Sequence, residues 1–109
     1  MDIHLLRAFL AVAETGSVSA AAERLGYSQP GLSHRVQLLE RDMGVALFRR
    51  SRDGMTLTKE GQLLVPYARM TAHMLEDAEK AIADYREARR TSRKRKADKP
   101  KDETQTETE

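Results

Sequence analysis

The chain has 109 residues, of which 39% are hydrophobic and 5% aromatic, so it can form one small domain with an appendage. It contains no cysteine, which excludes disulfides and thiolate metal sites. No apolar run approaches the length of a membrane span, and no signal peptide precedes the first amphipathic pattern. We therefore expect a cytoplasmic protein.

The net charge is only +2, but the charges are segregated along the chain. Residues 28–59 hold six basic and three acidic side chains, whereas residues 76–87 hold two basic and five acidic ones. Residues 86–101 then hold nine basic and two acidic side chains, and residues 102–109 hold four acidic and no basic ones. Basic segments of this kind suit a polyanionic partner, although a charged tail is more often only solvated.

The first two predicted elements are short amphipathic helices. Asp2 is an N-cap residue for the first, and Gly16 ends it. Ser17 can cap the second, which ends at Gly26 and contains the alanine run 20–22, whose small side chains allow another helix to cross closely. Almost no chain separates this helix from the next, which is the geometry of a helix-turn-helix, with an ordinary helical hairpin as the alternative.

The third predicted helix runs from the N-cap Ser28 to Gly44, with Pro30 in its first turn, where a proline is tolerated. Its apolar residues recur on one face at helical spacing and are Leu32, Val36, Leu39 and Met43. Its opposite face carries the hydrogen-bonding residues Gln29, Ser33, His34 and Gln37. The pattern predicts a helix of about fifteen residues that packs on a core and offers a polar face to a partner.

The period then changes to that of extended chain. Two short apolar runs at 45–48 and 55–57 flank an Asp-Gly turn signal at residues 53–54, which predicts a β-hairpin. Arg50 and Arg52 make its tip basic. Three helices followed by a two-stranded ribbon form a winged helix-turn-helix, in which the wing arginines would lie near DNA phosphates or an adjacent minor groove.

Residues 58–90 predict one long helix capped by Thr58. A helix of about 33 residues spans roughly 50 Å, which is too long to pack only on its own small domain. We therefore favour a partner helix from a second subunit. The residues expected at that interface are Leu63, Tyr67, Met70, Met74, Ala78, Ala81, Ile82 and Tyr85. Residues 91–109 are almost devoid of apolar side chains and are expected to be a disordered charged tail.

An enzyme finds little support in this sequence. The three histidines, His4, His34 and His73, are isolated from one another and from any carboxylate cluster at metal-ligand spacing. Ser33 and His34 are sequence neighbours with no reason to act as nucleophile and base, and no glycine pattern resembles a phosphate-binding loop. We expect no catalytic residue, no metal and no cofactor.

Residues 3–61 resemble the N-terminal DNA-binding domain of the LysR-type bacterial transcriptional regulators. The resemblance is carried in order by FLAVAETGS, AAERL, SQP-x-LS, LF-x-R and LT-x-x-G. It implies a mainly α fold in which a winged helix-turn-helix (residues 1–58, with the helix-turn-helix at about 18–37) is followed by a linker and dimerisation helix (59–90). It also implies a nucleoid-associated homodimer that binds interrupted palindromes in double-stranded promoter DNA and regulates transcription.

The resemblance implies that Gln29, Pro30, Ser33 and His34 lie in or at the major groove and that wing arginines touch flanking DNA. With the remaining polar residues of the third helix, the expected DNA-binding set is Ser28, Gln29, Pro30, Ser33, His34, Arg35, Gln37, Arg50 and Arg52. Arginine is commoner in the family at the position of His34. In this chain the positive charge stands at Arg35, about 100° further around the helix.

The effector-binding domain that normally follows in this family is expected to be missing, so we expect DNA binding without a small-molecule effector. Three readings remain: a homodimeric transcription factor, an interaction protein that forms mixed dimers with full-length LysR-type regulators, and the DNA-binding fragment of a longer regulator. RNA polymerase is a further partner that the resemblance implies.

Overall fold

The computed structural model describes the backbone of residues 2–98 and the side chains of residues 2–93. Its elements in chain order are α1 (Ile3–Thr15), α2 (Val18–Leu25), α3 (Gln29–Met43), β1 (Phe48–Ser51), β2 (Gly54–Leu57) and α4 (Lys59–Asp98). The chain divides into two compact units after Leu75. The mainly α winged helix-turn-helix predicted from the sequence is confirmed.

The three predicted N-caps of the first helices form as expected. Asp2 Oδ1 accepts from the His4 N–H at 2.9 Å, and Ser17 Oγ accepts from the Ala20 N–H at 3.1 Å. All three helices end at a glycine in the left-handed region of φ, as the sequence indicates. Local residue chemistry therefore determines where α1, α2 and α3 begin and end.

The core lies between α1, α2 and α3 and continues into β1. Phe9 and Phe48 place their ring centroids 5.3 Å apart, which joins α1 to the start of the hairpin. The largest fully buried side chains are Phe9, Leu32, Leu39, Leu47 and Val12. Leu32, Val36 and Leu39 on α3 are buried as predicted, but Met43 is 36% exposed, because it stands at the last residue of the helix, where the core ends.

The hairpin is a two-stranded antiparallel sheet in which Phe48 pairs with Leu57 and Ser51 pairs with Gly54. The turn therefore lies at Arg52 and Asp53, one residue earlier than the Asp-Gly signal suggests. Gly54 instead opens β2 with a φ of +129°, and a Cβ at this position would meet the Gly16 carbonyl oxygen at 2.7 Å. The glycine is needed for this close approach as well as for its φ.

α4 begins where Thr58 ties it to the chain segment before the hairpin. The Thr58 hydroxyl accepts from the Gly61 N–H at 3.0 Å and donates to the Ala46 carbonyl at 2.7 Å. A Cβ at Gly61 would collide with the Leu47 carbonyl oxygen, so only glycine allows the first turn of α4 to approach the segment that precedes β1. The LT-x-x-G motif thus has a packing explanation.

α4 extends beyond its predicted C-terminal end, and its N-terminal part belongs to the first unit. Ala68 and Ala72 are buried in the core, and the first unit ends at Leu75. The helix continues to Asp98, eight residues beyond the predicted end, since the basic and alanine residues there are good helix formers. The disorder expected for residues 91–98 is therefore not seen, and residues 99–109 lie outside the described residues.

No helix among residues 2–98 is both long and apolar enough to cross a bilayer.

Candidate nucleic-acid interface

The first turn of α3 is capped by Ser28 and is exposed to solvent. Ser28 has extended backbone (φ −73°, ψ 159°), and its Oγ accepts from the Gly31 N–H at 3.1 Å. Gln29 and Pro30 then stand exposed at the helix start. The hydroxyl of Ser28 is used in capping, so its first role in this structure is to position its neighbours.

Beyond this turn, α3 shows the two faces that its sequence predicts. His34 and Gln37 are exposed, and Ser33 is half-buried beside the hairpin. The buried apolar face holds the helix against the core, so the polar face is presented on a rigid element. Side chains on such a helix can donate to and accept from groups on a partner.

Glu40 fixes the hairpin to α3, which the sequence analysis did not predict. Its Oε2 accepts from the Leu47 N–H at 2.7 Å and from the Phe48 N–H at 3.2 Å. These two bonds attach the beginning of β1 to α3. A carboxylate that accepts two backbone amides makes charge-assisted bonds, which are stronger than neutral ones.

The other strand is attached to the turn between α1 and α2. The Met55 N–H donates to the Gly16 carbonyl at 3.2 Å. Together with Glu40, this bond holds the hairpin at both strands. The basic tip therefore has a defined position relative to α3.

A groove of about 550 Å³ lies between the start of α3, the start of α2 and the hairpin. The predicted residues that it brings together are Gln29, Pro30, Ser33, Arg50 and Arg52. Seven further lining residues were not predicted as site residues, namely Gly16, Ser17, Val18, Ser51, Asp53, Gly54 and Met55. Ser17 had a signal, because an N-cap residue places a helix N-terminus, with its partial positive charge, at the same place. Val18, Ser51 and Met55 gave no such signal.

Four predicted residues lie outside this groove. Ser28 and His34 are exposed next to it. Gln37 lines a neighbouring cavity of about 100 Å³ with Ser33 and Arg50. The guanidinium of Arg35 stacks 4.1 Å from the ring centroid of Tyr27, and it donates to the Gly31 carbonyl at 3.2 Å.

These contacts give Arg35 a bracing role at the turn between α2 and α3. A cation held over an aromatic ring is stabilised by about 0.5 to 2 kcal/mol. The sequence could have suggested this contact only if the orientation of Tyr27 had been known. DNA contact by Arg35 stays a prediction.

Leu64 and Val65 of α4 are partly buried against the core, but four other large apolar residues of this part of the helix are exposed. We call Leu63, Tyr67, Met70 and Met74 the outer face of α4; they are 66%, 68%, 59% and 66% exposed. The inner face of this segment includes Ala68 and Ala72, which are 1% and 6% exposed, and the partly buried Leu64 and Val65. In the second unit, the remaining predicted interface residues are also exposed, namely Ala78, Ala81, Ile82 and Tyr85.

The groove has the chemistry of a surface that binds a polyanion and reads polar edges. It combines two guanidinium groups and the single carboxylate of Asp53 with amide and hydroxyl groups, among them those of Gln29 and Ser33 on α3. Within the described residues, no group of three or more histidine and acidic side chains could hold a metal ion. The arrangement offers contacts to phosphates from the hairpin and to base edges from α3.

The model of the family described as "Bacterial regulatory helix-turn-helix protein, lysR family" matches residues 3–62. Among curated proteins, the HTH-type transcriptional regulator GltR of Bacillus subtilis (strain 168) is 42% identical over 84 residues, which cover 77% of this chain and 28% of GltR. ClcR of Pseudomonas putida is 45% identical over 76 residues, which cover 70% of this chain and 26% of ClcR. The chain therefore spans only about a quarter of the length of these relatives.

Solved structures give the same assignment. The CbnR DBD–DNA complex superposes with a TM-score of 0.67 at 41% identity, covering 81% of this chain and 98% of that one. DarR of Vibrio fischeri, solved in complex with DNA, gives a TM-score of 0.74 at 31% identity and covers 81% of this chain and 30% of that one. The chain thus belongs to the LysR family of bacterial regulatory helix-turn-helix proteins.

Proposed function

We propose that the chain acts as a homodimer that binds an interrupted palindrome in promoter DNA and regulates transcription from it. The observation that carries the proposal is that one unit has two separate exposed surfaces. The groove suits DNA, and the outer face of α4 suits a second apolar helix. Promoter DNA of the bacterial chromosome is the expected site of action.

The groove supports the DNA half of the proposal. Gln29 and Ser33 stand on the exposed side of α3, where they can reach base edges in a major groove. Arg50 and Arg52 stand at the hairpin tip, where they can neutralise phosphates of the flanking DNA. Base contacts would supply the sequence preference and arginine contacts would supply general affinity.

The outer face of α4 supports the dimer half. Soluble monomers rarely expose a contiguous run of large apolar side chains such as Tyr67, Met70 and Met74. A two-fold pair would bury this run against its own copy and would present two α3 helices. Two linked recognition helices raise affinity for paired half-sites through effective concentration.

Selection of bound duplexes from a random pool tests this proposal. We expect two inverted half-sites whose centres are separated by about one helical turn of 10 to 10.5 bp, or a multiple of it. Inserting five base pairs between the half-sites turns them to opposite sides of the duplex and should weaken binding. A selected site with a single half-site, bound equally well after that insertion, would contradict the homodimer.

A mixed dimer with full-length LysR-type regulators is the second candidate. The match with GltR is longer than residues 3–62, so the likeness to full-length regulators extends into α4. Copurification of a tagged chain with the full-length regulators of the same cells tests it. Recovery of the tagged chain with untagged copies of itself alone would favour the homodimer.

A further inference from the structure

Four arginines of the second unit lie on one side of α4 and take no part in the function proposed above. Arg86, Arg89, Arg90 and Arg93 are all exposed. The last three lie three, four and seven residues after Arg86, which places all four within about 100° of the helix circumference. We call these four residues the arginine stripe.

Helix electrostatics do not explain the arginine stripe. Cations are stabilised by the helix dipole only in the last turn, but α4 continues to Asp98, beyond all four residues. Like charges three or four residues apart destabilise a helix by a few tenths of a kcal/mol per pair. A helix surface that served only to be solvated would not need to concentrate them.

Ion pairs within the chain do not explain it either. Among the described side chains, Arg90 has one acidic partner, Glu87, at 3.4 Å. Both side chains of this pair are about two-thirds exposed, and such pairs contribute little. Arg89 donates to the Tyr85 hydroxyl at 3.2 Å, which orients its guanidinium without neutralising it.

We propose that the arginine stripe is a second, sequence-independent contact surface for the phosphates of duplex DNA. From Arg86 to Arg93 the helix rises about 10 Å, over which one DNA strand presents about three phosphates. The partner is double-stranded DNA because the chain carries the helix-turn-helix domain of the LysR family, and the related CbnR domain is solved in a complex with DNA. The proposal rests on DNA binding by the chain and not on the homodimer or the palindrome.

The test compares the full chain with a variant in which all four arginines are replaced by Gln, which keeps helix propensity and removes charge. The probe is a 30-bp duplex of random sequence. Each phosphate contact contributes about 0.9 to the slope of log affinity against log salt. If all four contact DNA, the wild type should lose about 150-fold more affinity than the variant between 50 and 200 mM salt.

The matched control replaces the same four arginines by Lys. It keeps the charge, so its salt slope should stay close to that of the wild type. Circular dichroism of both variants checks that α4 remains helical. A Gln variant with the helicity and the salt slope of the wild type would overturn the proposal.

If something other than duplex DNA binds the arginine stripe, the Gln variant should give a different result. If the Gln substitutions weaken DNA binding only in a chain shortened to end at Lys101, the acidic residues 102–109 cover the stripe in the full chain, which overturns the proposal. A loss of affinity for single-stranded RNA but not for duplex DNA overturns it as well.

A further variant separates this result from the proposed function. Gln29→Ala with Ser33→Ala should lose site preference and keep the contribution of the arginine stripe to the salt slope. Failure of the palindrome selection would therefore leave the stripe measurement interpretable.

Discussion

The groove and the outer face of α4 are both exposed surfaces of the first unit, yet they differ in how favourably water solvates their side chains. The polar groups of Gln29, Ser33 and Arg50 can bond to water while no partner is present. Tyr67 and Met74 gain nothing comparable, since burying a large apolar side chain stabilises by about 1.5 to 3 kcal/mol. The groove can therefore stay solvated while no DNA is bound, whereas exposure of the outer face favours association with a second chain.

The two sides of α4 also differ from each other in what they contact. Ala68 and Ala72 are buried in the core and Leu64 and Val65 are partly buried against it, whereas the outer face points away from it. A helix that only completed a monomer would not leave four further large apolar residues exposed. The residues of the outer face therefore remain available to a second chain.

Ala68→Glu should give the largest effect, because it places a carboxylate in the core. Ala68 is 1% exposed, and an uncompensated buried charge costs about 3 to 5 kcal/mol. Urea denaturation should show this loss of stability or an unfolded chain. A variant as stable as the wild type would mean that the inner face of α4 does not pack on the domain.

Met74→Glu is the matched substitution on the opposite side of the same helix. Met74 is 66% exposed, so the fold should tolerate the charge within about 0.5 kcal/mol. A carboxylate from each chain at the dimer interface should weaken association by roughly 3 kcal/mol, more than 100-fold in Kd. Light scattering across a dilution series measures this, and an unchanged dimer would remove Met74 from the interface.

Gln29→Ala and Ser33→Ala test the groove at its polar edge. Loss of a base contact should reduce the preference for the selected site over random DNA by about 1 to 3 kcal/mol. The dimer should be unaffected, since neither residue is near the outer face of α4. Competition titrations measure the preference, and full retention by both variants would place the reading surface elsewhere.

Arg50→Ala and Arg52→Ala should have the smallest effect on sequence preference. Each should reduce the salt slope by about 0.9 if it contacts one phosphate. His34→Ala is a useful comparison, because His34 is exposed beside the groove without lining it. Salt slopes that are identical in the wild type and both arginine variants would remove the hairpin from the interface.

Sequence patterns predicted the features that depend on local chemistry. The caps at Asp2, Ser17 and Ser28 and the apolar face of α3 follow from residues within one or two helical turns. These features determine the three helices and the order of elements, which is most of the fold. The Asp-Gly signal and the two short apolar runs beside it predicted the hairpin, and the resemblance to the LysR family added its expected role.

Other features depend on contacts between residues that are distant in sequence or orientation. Glu40 accepts amides seven and eight residues away, and Arg35 stacks on the ring of Tyr27 across the turn. Neither contact has a periodic signature. The continuation of α4 past residue 90 was missed for a different reason, since polarity alone was read as disorder although Lys, Arg and Ala favour helix.

Sedimentation velocity of the unmodified chain over a range of micromolar concentrations tests the central claim most directly, namely that the outer face of α4 pairs two chains. The account predicts a species of twice the chain mass of 12.3 kDa, which dissociates on dilution and binds the selected palindrome as a dimer. A chain that sediments as a monomer at every concentration and still binds the full palindrome tightly would contradict it.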